Sequence, residues 1–425
     1  MPQMTDQPNS DWRHIPVTIP DKPAARQPSY AKMRCRWSTG QTRQADLQRA
    51  QADIEQHMQQ ADIDTTPAFD LQGDWPDHPL MDSVRQRVRE RVTQRIAERN
   101  LLVDEKDALF QVLFRLTALP PRRLFQDGDA ARQLLDGVST DQWRGILDLD
   151  RDDFHALALD EAVIDRVIDE QLAVIQDRLA ASPLPLERIL EKTGICSGDW
   201  VLKRTGGEVV AEDRRTGDQR GIELREVDQQ TATQFHQDLH YIHTPRTGTA
   251  YGLYAEGAEL PFSVESVEPV DRDYKQAALL LHGHDPDNCV ELTRLYNWPS
   301  PPMNTVSIMD RLVFDRFRDE GIEAVSTTIM PTYTLSKSQT AGGIDQAYLA
   351  KRPEHTFIGR DVGGRTALEH ATKRKRQRRG QQPVRRDHPD FPLLPVVELI
   401  NGLSAPSIEP SHRVDGSMIT MGYGG

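Results

Sequence analysis

A chain of 425 residues with a formal charge of −13, 37% hydrophobic and 6% aromatic residues is long enough for two or three domains and a real core, diluted by polar segments. Its acids are 42 Asp against 23 Glu, and only 10 of its 52 basic residues are Lys; this short, strongly hydrated surface chemistry is expected of a halophile, a haloarchaeon or one of its viruses, while a GC-rich genome is the plainer account of Arg over Lys. The three cysteines, Cys35, Cys196 and Cys289, are scattered and form no CxxC pair, which excludes a disulfide framework and a zinc ribbon.

The N-terminus lacks the charged-then-apolar order of a secretory signal, and no apolar run approaches the roughly 18 residues of a membrane span. A soluble, cytoplasmic protein with no membrane partner is expected. Residues 1–79 are rich in Gln, Asp, Pro and Thr and read as a mostly disordered polar arm. One helix is predicted within it over Asp46–Ile63, anchored by Leu47, Ile54, Met58 and Ile63. From Leu80 the pattern turns helical, with Leu80, Val84, Val88, Val92 and Ile96 recurring every four residues. Further helices are predicted at Glu105–Leu116, Asp141–Leu147 and Glu161–Leu179, broken by Pro120-Pro121, Asp127-Gly128 and Pro183–Pro185. Residues 80–197 are thus a helical domain with no obvious chemistry.

Residues 198–229 switch to a period of two around Thr205-Gly206-Gly207, the signal of a short β-hairpin module between domains. Over 230–360, helix and strand alternate. A helix is expected at Thr231–His243, then strands at Thr249–Tyr254, Phe262–Val270 and Asn288–Tyr296. A helix at Thr305–Glu320, closed by Gly321, follows. A buried strand at Ala324–Met330, a short helix at Ile344–Lys351 and a last strand at His355–Ile358 complete a mixed α/β domain. The fold class is α+β and multidomain. Residues 361–425 read as an irregular tail.

The segment Glu291-Leu-Thr-Arg-Leu-Tyr296, followed by Pro301-Pro-Met-Asn304-Thr-Val-Ser307, feeds a strand through a polar loop into a helix N-terminus. First-turn amides without intrahelical partners and a positive helix end make an anion site there. Asn304 or Thr305 can cap the helix and Ser307 adds a hydroxyl; the same residues can equally be caps and nothing more. Arg294, at the end of the strand, is placed to pair with a phosphate or an acidic group, or with a structural partner.

The order of elements resembles the GNAT fold of N-acyltransferases. Leu292-Thr-Arg-Leu, Pro302–Asn304, Ser307 and Gly342-Gly343-Ile344 are similar to the Mom family of phage DNA-modification proteins within it, over residues 235–359. That resemblance implies an acyl-CoA cofactor such as acetyl-CoA, held by Pro302, Asn304, Thr305, Ser307, Gly342 and Gly343, and an adenine base of DNA as acceptor. The GNAT phosphate loop [RQ]-x-x-G-x-[GA] is absent, and Asp345 stands near the position of a family Asp. Acyl transfer needs a deprotonated amine, a polarised thioester carbonyl and a protonated leaving thiolate. Arg294, Asp345, Tyr333 and Tyr348 are the catalytic candidates, the two tyrosines for the thiolate.

Three further features complete the candidate sites. His236, His240 and His243 share one helical face at spacings of four and seven and could share a metal; separate hydrogen bonds on a half-buried face are the alternative. Thr332–Ser338 reads as a polar loop after a strand. Residues 373–386 carry eight Lys or Arg and no acid. Lys373, Arg374, Lys375, Arg376, Arg378 and Arg379 lead this segment, which suits a nucleic acid or a solvated tail. A non-enzymatic DNA-binding or assembly protein, and an acetyltransferase of proteins or small amines, are the competing functional expectations.

Overall fold

The computed structural model describes residues 12–17, 31–36, 40–60, 79–101, 103, 105–116, 119, 121–135, 150–185, 193–197, 199–240, 245–246, 248–270, 273–298, 301–329, 345–351, 357–362, 365–370, 396–411 and 418–420. Strands β1 (Trp12–Val17) and β2 (Ala31–Arg36) pair with each other as a separate antiparallel ribbon. Helix α1 (Gly40–Gln60) follows. The helical part comprises α2 (Pro79–Arg99), α3 (Glu105–Leu116), α4 (Pro121–Leu124), α5 (Gly128–Leu135), α6 (Arg151–Ala156) and α7 (Glu161–Ala181).

The four-residue recurrence along α2 buries Val84, Val88 and Val92 completely, against Val112, Leu113, Ile164, Val167, Ile168 and Leu172 of α3 and α7. Asp160 caps α7 by accepting from the Val163 amide, as an Asp before a helix is expected to do. The polar flank of α2 is laced to α7: Arg91 pairs with Glu161 and Asp165, and Arg95 and Arg99 both reach Asp169. Such half-exposed pairs fix register more than they stabilise. The helix expected at Asp141–Leu147 lies outside the described residues.

Then β3 (Trp200–Thr205), β4 (Glu208–Asp213) and β5 (Gln219–Val227) lead into α8 (Gln229–Gln234) and a π turn, Phe235–Leu239. They are followed by β6 (Thr249–Ala255), β7 (Ser263–Pro269), α9 (Asp273–Leu281), β8 (Cys289–Asn297), α10 (Thr305–Asp319) and β9 (Ala324–Ile329). The last strands are β10 (Asp345–Lys351), β11 (Phe357–Val362), β12 (Arg365–His370), β13 (Val396–Gly402) and β14 (Met418–Thr420).

Ten of these strands form one sheet in the order β14-β10-β13-β9-β8-β7-β6-β5-β4-β3. It is antiparallel from β3 to β8, parallel between β8 and β9 with α10 as the crossover, then antiparallel through β13 to β10. Helix α10 packs on β3, β5, β6 and β7 through Ile308, Met309, Val313, Phe314 and Phe317. Gly321 ends the helix with φ +79°, a left-handed backbone that glycine adopts without strain.

Several expectations are corrected. The hairpin of 198–229 is not a separate module, because β5 pairs with β6 from Ile222↔Ala255 to Val227↔Ala250 and so extends the main sheet. The arm is not loose over α1: Leu47, Ala50 and Ile54 form a core with Val270, Ala277, Leu280, Cys289, Ala324 and Ile400. Its Gln51 side chain donates to the carbonyls of Leu280 and Glu409. The helix expected at Ile344–Lys351 is strand β10, whose alternating Ala347, Leu349 and neighbours pair with β13. The tail is not irregular throughout, since β13 lies inside the sheet between β9 and β10. The helix at Asp273–Leu281 was not anticipated, and Thr231–His243 is a short helix plus a π turn, closed at His240. Among the described residues no helix is long and apolar enough to cross a membrane.

Candidate functional site

Strands β8 and β9 run side by side only from Cys289↔Ala324 to Leu292↔Thr327. Beyond that point Thr293–Asn297 stay with β7 and Thr328–Ile329 stay with β13. Among the described residues no ladder pair joins β8 to β9 past Leu292↔Thr327, although Thr328 and Ile329 continue β9. A β-bulge marks the end of that ladder: the register with β7 moves from Val267↔Leu292 to Ser266↔Arg294, leaving Thr293 as the extra residue. Bulges bend a strand and re-aim its side chains, which is why they recur beside active sites. The Thr293 hydroxyl donates to the Ser266 carbonyl (3.1 Å), and Arg294 Nη1 donates to the Thr293 carbonyl (2.5 Å).

One strand away lies His236, on the π turn. Its Nε2 is 2.7 Å from Ser266 Oγ, and both residues are fully buried. His240 meets its ring edge-on, with centroids 5.9 Å apart. Burial, and then the Arg294 guanidinium, press the His236 imidazole down to about 3, so it is neutral at ordinary pH. Its Nδ1 finds no hydrogen-bond partner among the described residues. The π turn itself packs on α7, where Arg178 Nη1 donates to the Gln237 carbonyl and Ser182 Oγ to Asp238 Oδ2. Turns of this kind concentrate at functional sites.

Beside the β8–β9 ladder, Lys275 of α9 makes a buried ion pair with Glu291 of β8 (2.7 Å) and donates to Ser326 Oγ of β9 (3.4 Å). A charged pair in this position bridges the two strands near the end of their ladder. Elsewhere, a network around Glu323 ties the opposite ends of β8 and β9 to the C-terminal segment. Glu323 accepts from the Asp285 amide, Asn288 Nδ2 and Ser407 Oγ.

The entrance to α10 differs from the expectation. Asn304 does not cap the helix with its side chain: it sits at φ +67° and its Nδ2 points to the Leu202 carbonyl, 3.4 Å away. The Thr305 hydroxyl is committed to the Pro302 carbonyl (2.6 Å). Met303 is bridged to β3 by bonds to Trp200 and Leu202, so the loop is stitched to a strand five places from β8 in the sheet. The first intrahelical bond runs from the Ile308 amide to the Asn304 carbonyl. The amides of Val306 and Ser307 therefore have no intrahelical acceptor, and with the half-buried Ser307 they keep the anion-binding capacity of the helix end.

Arg294, His236 and His240 are brought together; Tyr348 and Asp345 are not. Tyr348 lies on β10 between Leu399 and Met418, three strands from β8 and so on the order of 15 Å away. Asp345, at the start of the same strand, pairs with Gly402. Tyr333, Gly342, Gly343, His243 and the basic segment from Lys373 to Arg379 lie outside the described residues. Among the described residues no group of three or more His, Cys, Asp or Glu is arranged to hold a metal, and His236 Nε2 is already engaged by Ser266. Sequence reasoning missed Ser266, Lys275 and Glu291. The one available signal was polar residues recurring inside apolar strands, which reads equally as a solvated face.

No family model matches the chain, and no curated protein matches it. Among solved structures, a chain provisionally described as a phosphinothricin N-acetyltransferase is similar over 44% of this chain and 100% of its own length, at 11% identity and a TM-score of 0.25. A likeness at that level carries no weight for fold or chemistry.

Proposed function

We propose that the chain is an acyl-CoA-dependent N-acyltransferase of GNAT type. The carrying observation is that the described β8–β9 ladder ends at Leu292↔Thr327, beside a bulge in β8, within a parallel pair joined by α10 and flanked by antiparallel strands on both sides. An extended arm carrying amides, as in the pantetheine of CoA, would pair with β8 beyond that point as a strand does. Its phosphates would meet the amides of Val306 and Ser307. On this reading Arg294 faces the acyl or acceptor end, and the neutral His236 supplies no charge that would repel an incoming ammonium group.

The proposed acceptor is an adenine base of DNA, supported by the Leu292-Thr-Arg-Leu and Pro302–Asn304 resemblance and by the basic run of 373–386. Calorimetric titration with acetyl-CoA in concentrated salt, with mass spectrometry of nucleosides from DNA co-expressed with the protein, tests the two levels separately. Binding with unmodified adenine would retain the transferase and discard the DNA acceptor. No binding and no modification would sink both. The basic run also supports a second reading, a non-enzymatic DNA-binding protein; in that case removing 373–386 abolishes DNA binding and no acyl-CoA is bound.

A further inference from the structure

Consecutive residues on a strand face opposite sides, and β7 places two neighbours in opposite layers. Ser266 faces His236, while Glu265 faces α10. There, where α10 packs on β7, Glu265 and Asp310 interact with each other, and the two are 0% and 1% exposed. Both oxygens of Glu265, and Oδ1 of Asp310, find no hydrogen-bond partner among the described residues. Ionised carboxylates only accept hydrogen bonds, so a facing pair can bond only through a proton held between them. Two like charges enclosed together are also strongly unfavourable.

Among the described residues no cation neutralises the pair. By register Glu265 is flanked by Tyr251 on β6 and Leu295 on β8, and next along β7, Ser263 donates to Asn297 of β8. The Tyr251 phenol, on the neighbouring strand β6, senses Glu265. Its ring stacks edge-on with Phe317, and Arg316 lies 5.0 Å over it. Arg316 is itself held by Glu226 of β5 and Glu320. Among the described residues neither Lys nor Arg acts on either carboxyl.

We propose that Glu265 and Asp310 share one proton that latches α10 onto the sheet, making the seating of α10 sensitive to pH near neutrality. The helix carries the Asn304–Ser307 entrance, so the latch couples pH to that end of the molecule; the proposal does not depend on the transferase reading. Burial foremost raises both groups, Glu265 well above its usual range and Asp310 to about 8. A carboxyl raised in the folded state contributes stability that is fully present below the unfolded value of about 4 and is lost as pH rises through about 8.

The test is denaturant unfolding of the full chain at a series of pH values, compared with Asp310→Asn and Glu265→Gln, alongside infrared difference spectra of the protonated carboxyl. The wild-type folding constant should fall by up to about tenfold per pH unit more than that of either variant between pH about 5 and about 8. A protonated-carboxyl band should persist at pH about 6.5, where ordinary carboxylates are ionised. Equal slopes in wild type and variants would overturn the proposal. So would the absence of that band in the wild type, a result that needs no variant to fold.

Discussion

Among the described residues, Leu292 of β8 and Thr327 of β9 form the last pair of their ladder, and the Thr327 hydroxyl donates to the Leu292 carbonyl (3.2 Å) across that pair. The end of the ladder is therefore marked by named groups on both strands. Immediately beside it sit a bulge, a buried ion pair and a neutral histidine. Each of these can be tested.

Lys275 and Glu291 are 0% and 6% exposed in their side chains. Lys275→Ala would leave the Glu291 charge buried, and loss of one partner of such a pair costs about 3–5 kcal/mol. Replacing both, Lys275→Met with Glu291→Leu, should cost far less. Denaturant midpoints of the single and double variants check this; a single variant as stable as wild type would show that the pair is not enclosed.

Arg294 is half-buried and hydrogen-bonded to its own neighbouring carbonyl. Arg294→Ala should keep the protein folded, with an unfolding free energy lowered by about 1 kcal/mol, the usual size of a single substitution. If Arg294 serves the proposed site, the variant should raise the dissociation constant for acetyl-CoA or the KM for acceptor by about tenfold, the value of one charge-assisted contact. A change below about twofold in both would remove Arg294 from the site.

His236 predicts an acid-side loss. Its folded value of about 3 lies below the unfolded value of about 6.5, so the unfolded chain binds the proton first. The contribution is fully present above pH about 6.5 and is lost as pH falls through about 3, by up to about tenfold in the folding constant per unit. His236→Gln should flatten that slope. An unchanged slope in thermal or denaturant unfolding would show that the imidazole is solvated.

Glu323 acts lower in the same direction. Burial pushes its carboxyl up, but the His284 ring 3.8 Å away and hydrogen bonds from Asn288, Ser407 and the Asp285 amide outweigh it and hold the group at about 2. Its contribution is present above the unfolded value of about 4.3 and is lost as pH falls through about 2. Ser407→Ala should move the acid-unfolding midpoint to higher pH, followed by circular dichroism.

Asn304 is held at φ +67°. Asn304→Gly should be tolerated, whereas Asn304→Val should cost about 1–2 kcal/mol through left-handed strain. Calorimetry with acetyl-CoA on the valine variant then separates strain from binding. On the proposed function it abolishes binding with the fold retained.

Much of the domain was legible because its elements are amphipathic in simple ways. The α2 recurrence, the Glu105–Leu116 helix and the strand at 289–297 need only local periodicity, and Gly321 needs only a left-handed stop. The α9 helix was hidden because Ala277–Leu281 is apolar all round, which has no period to read. Strand β10 was mistaken for a helix because Gln346–Leu349 suits either state until a partner strand is present. Asn304 was read as a cap from its residue type, but tertiary pairing of Met303 with β3 set its backbone instead.

By itself, the sequence determined most of the helices and strands between residues 80 and 329 and that a polar loop feeds α10, because those depend on interactions between near neighbours. Only the tertiary structure decided that, among the described residues, the β8–β9 ladder ends at Leu292↔Thr327, beside the Thr293 bulge. Only it decided that Ser266 and Glu265 are buried on opposite faces, and that β13, from what read as an irregular tail, completes the sheet. Those outcomes depend on which distant strand supplies the hydrogen bonds and which layer covers each face. A pattern of alternating polar and apolar residues is the same whether its polar side meets water or another helix.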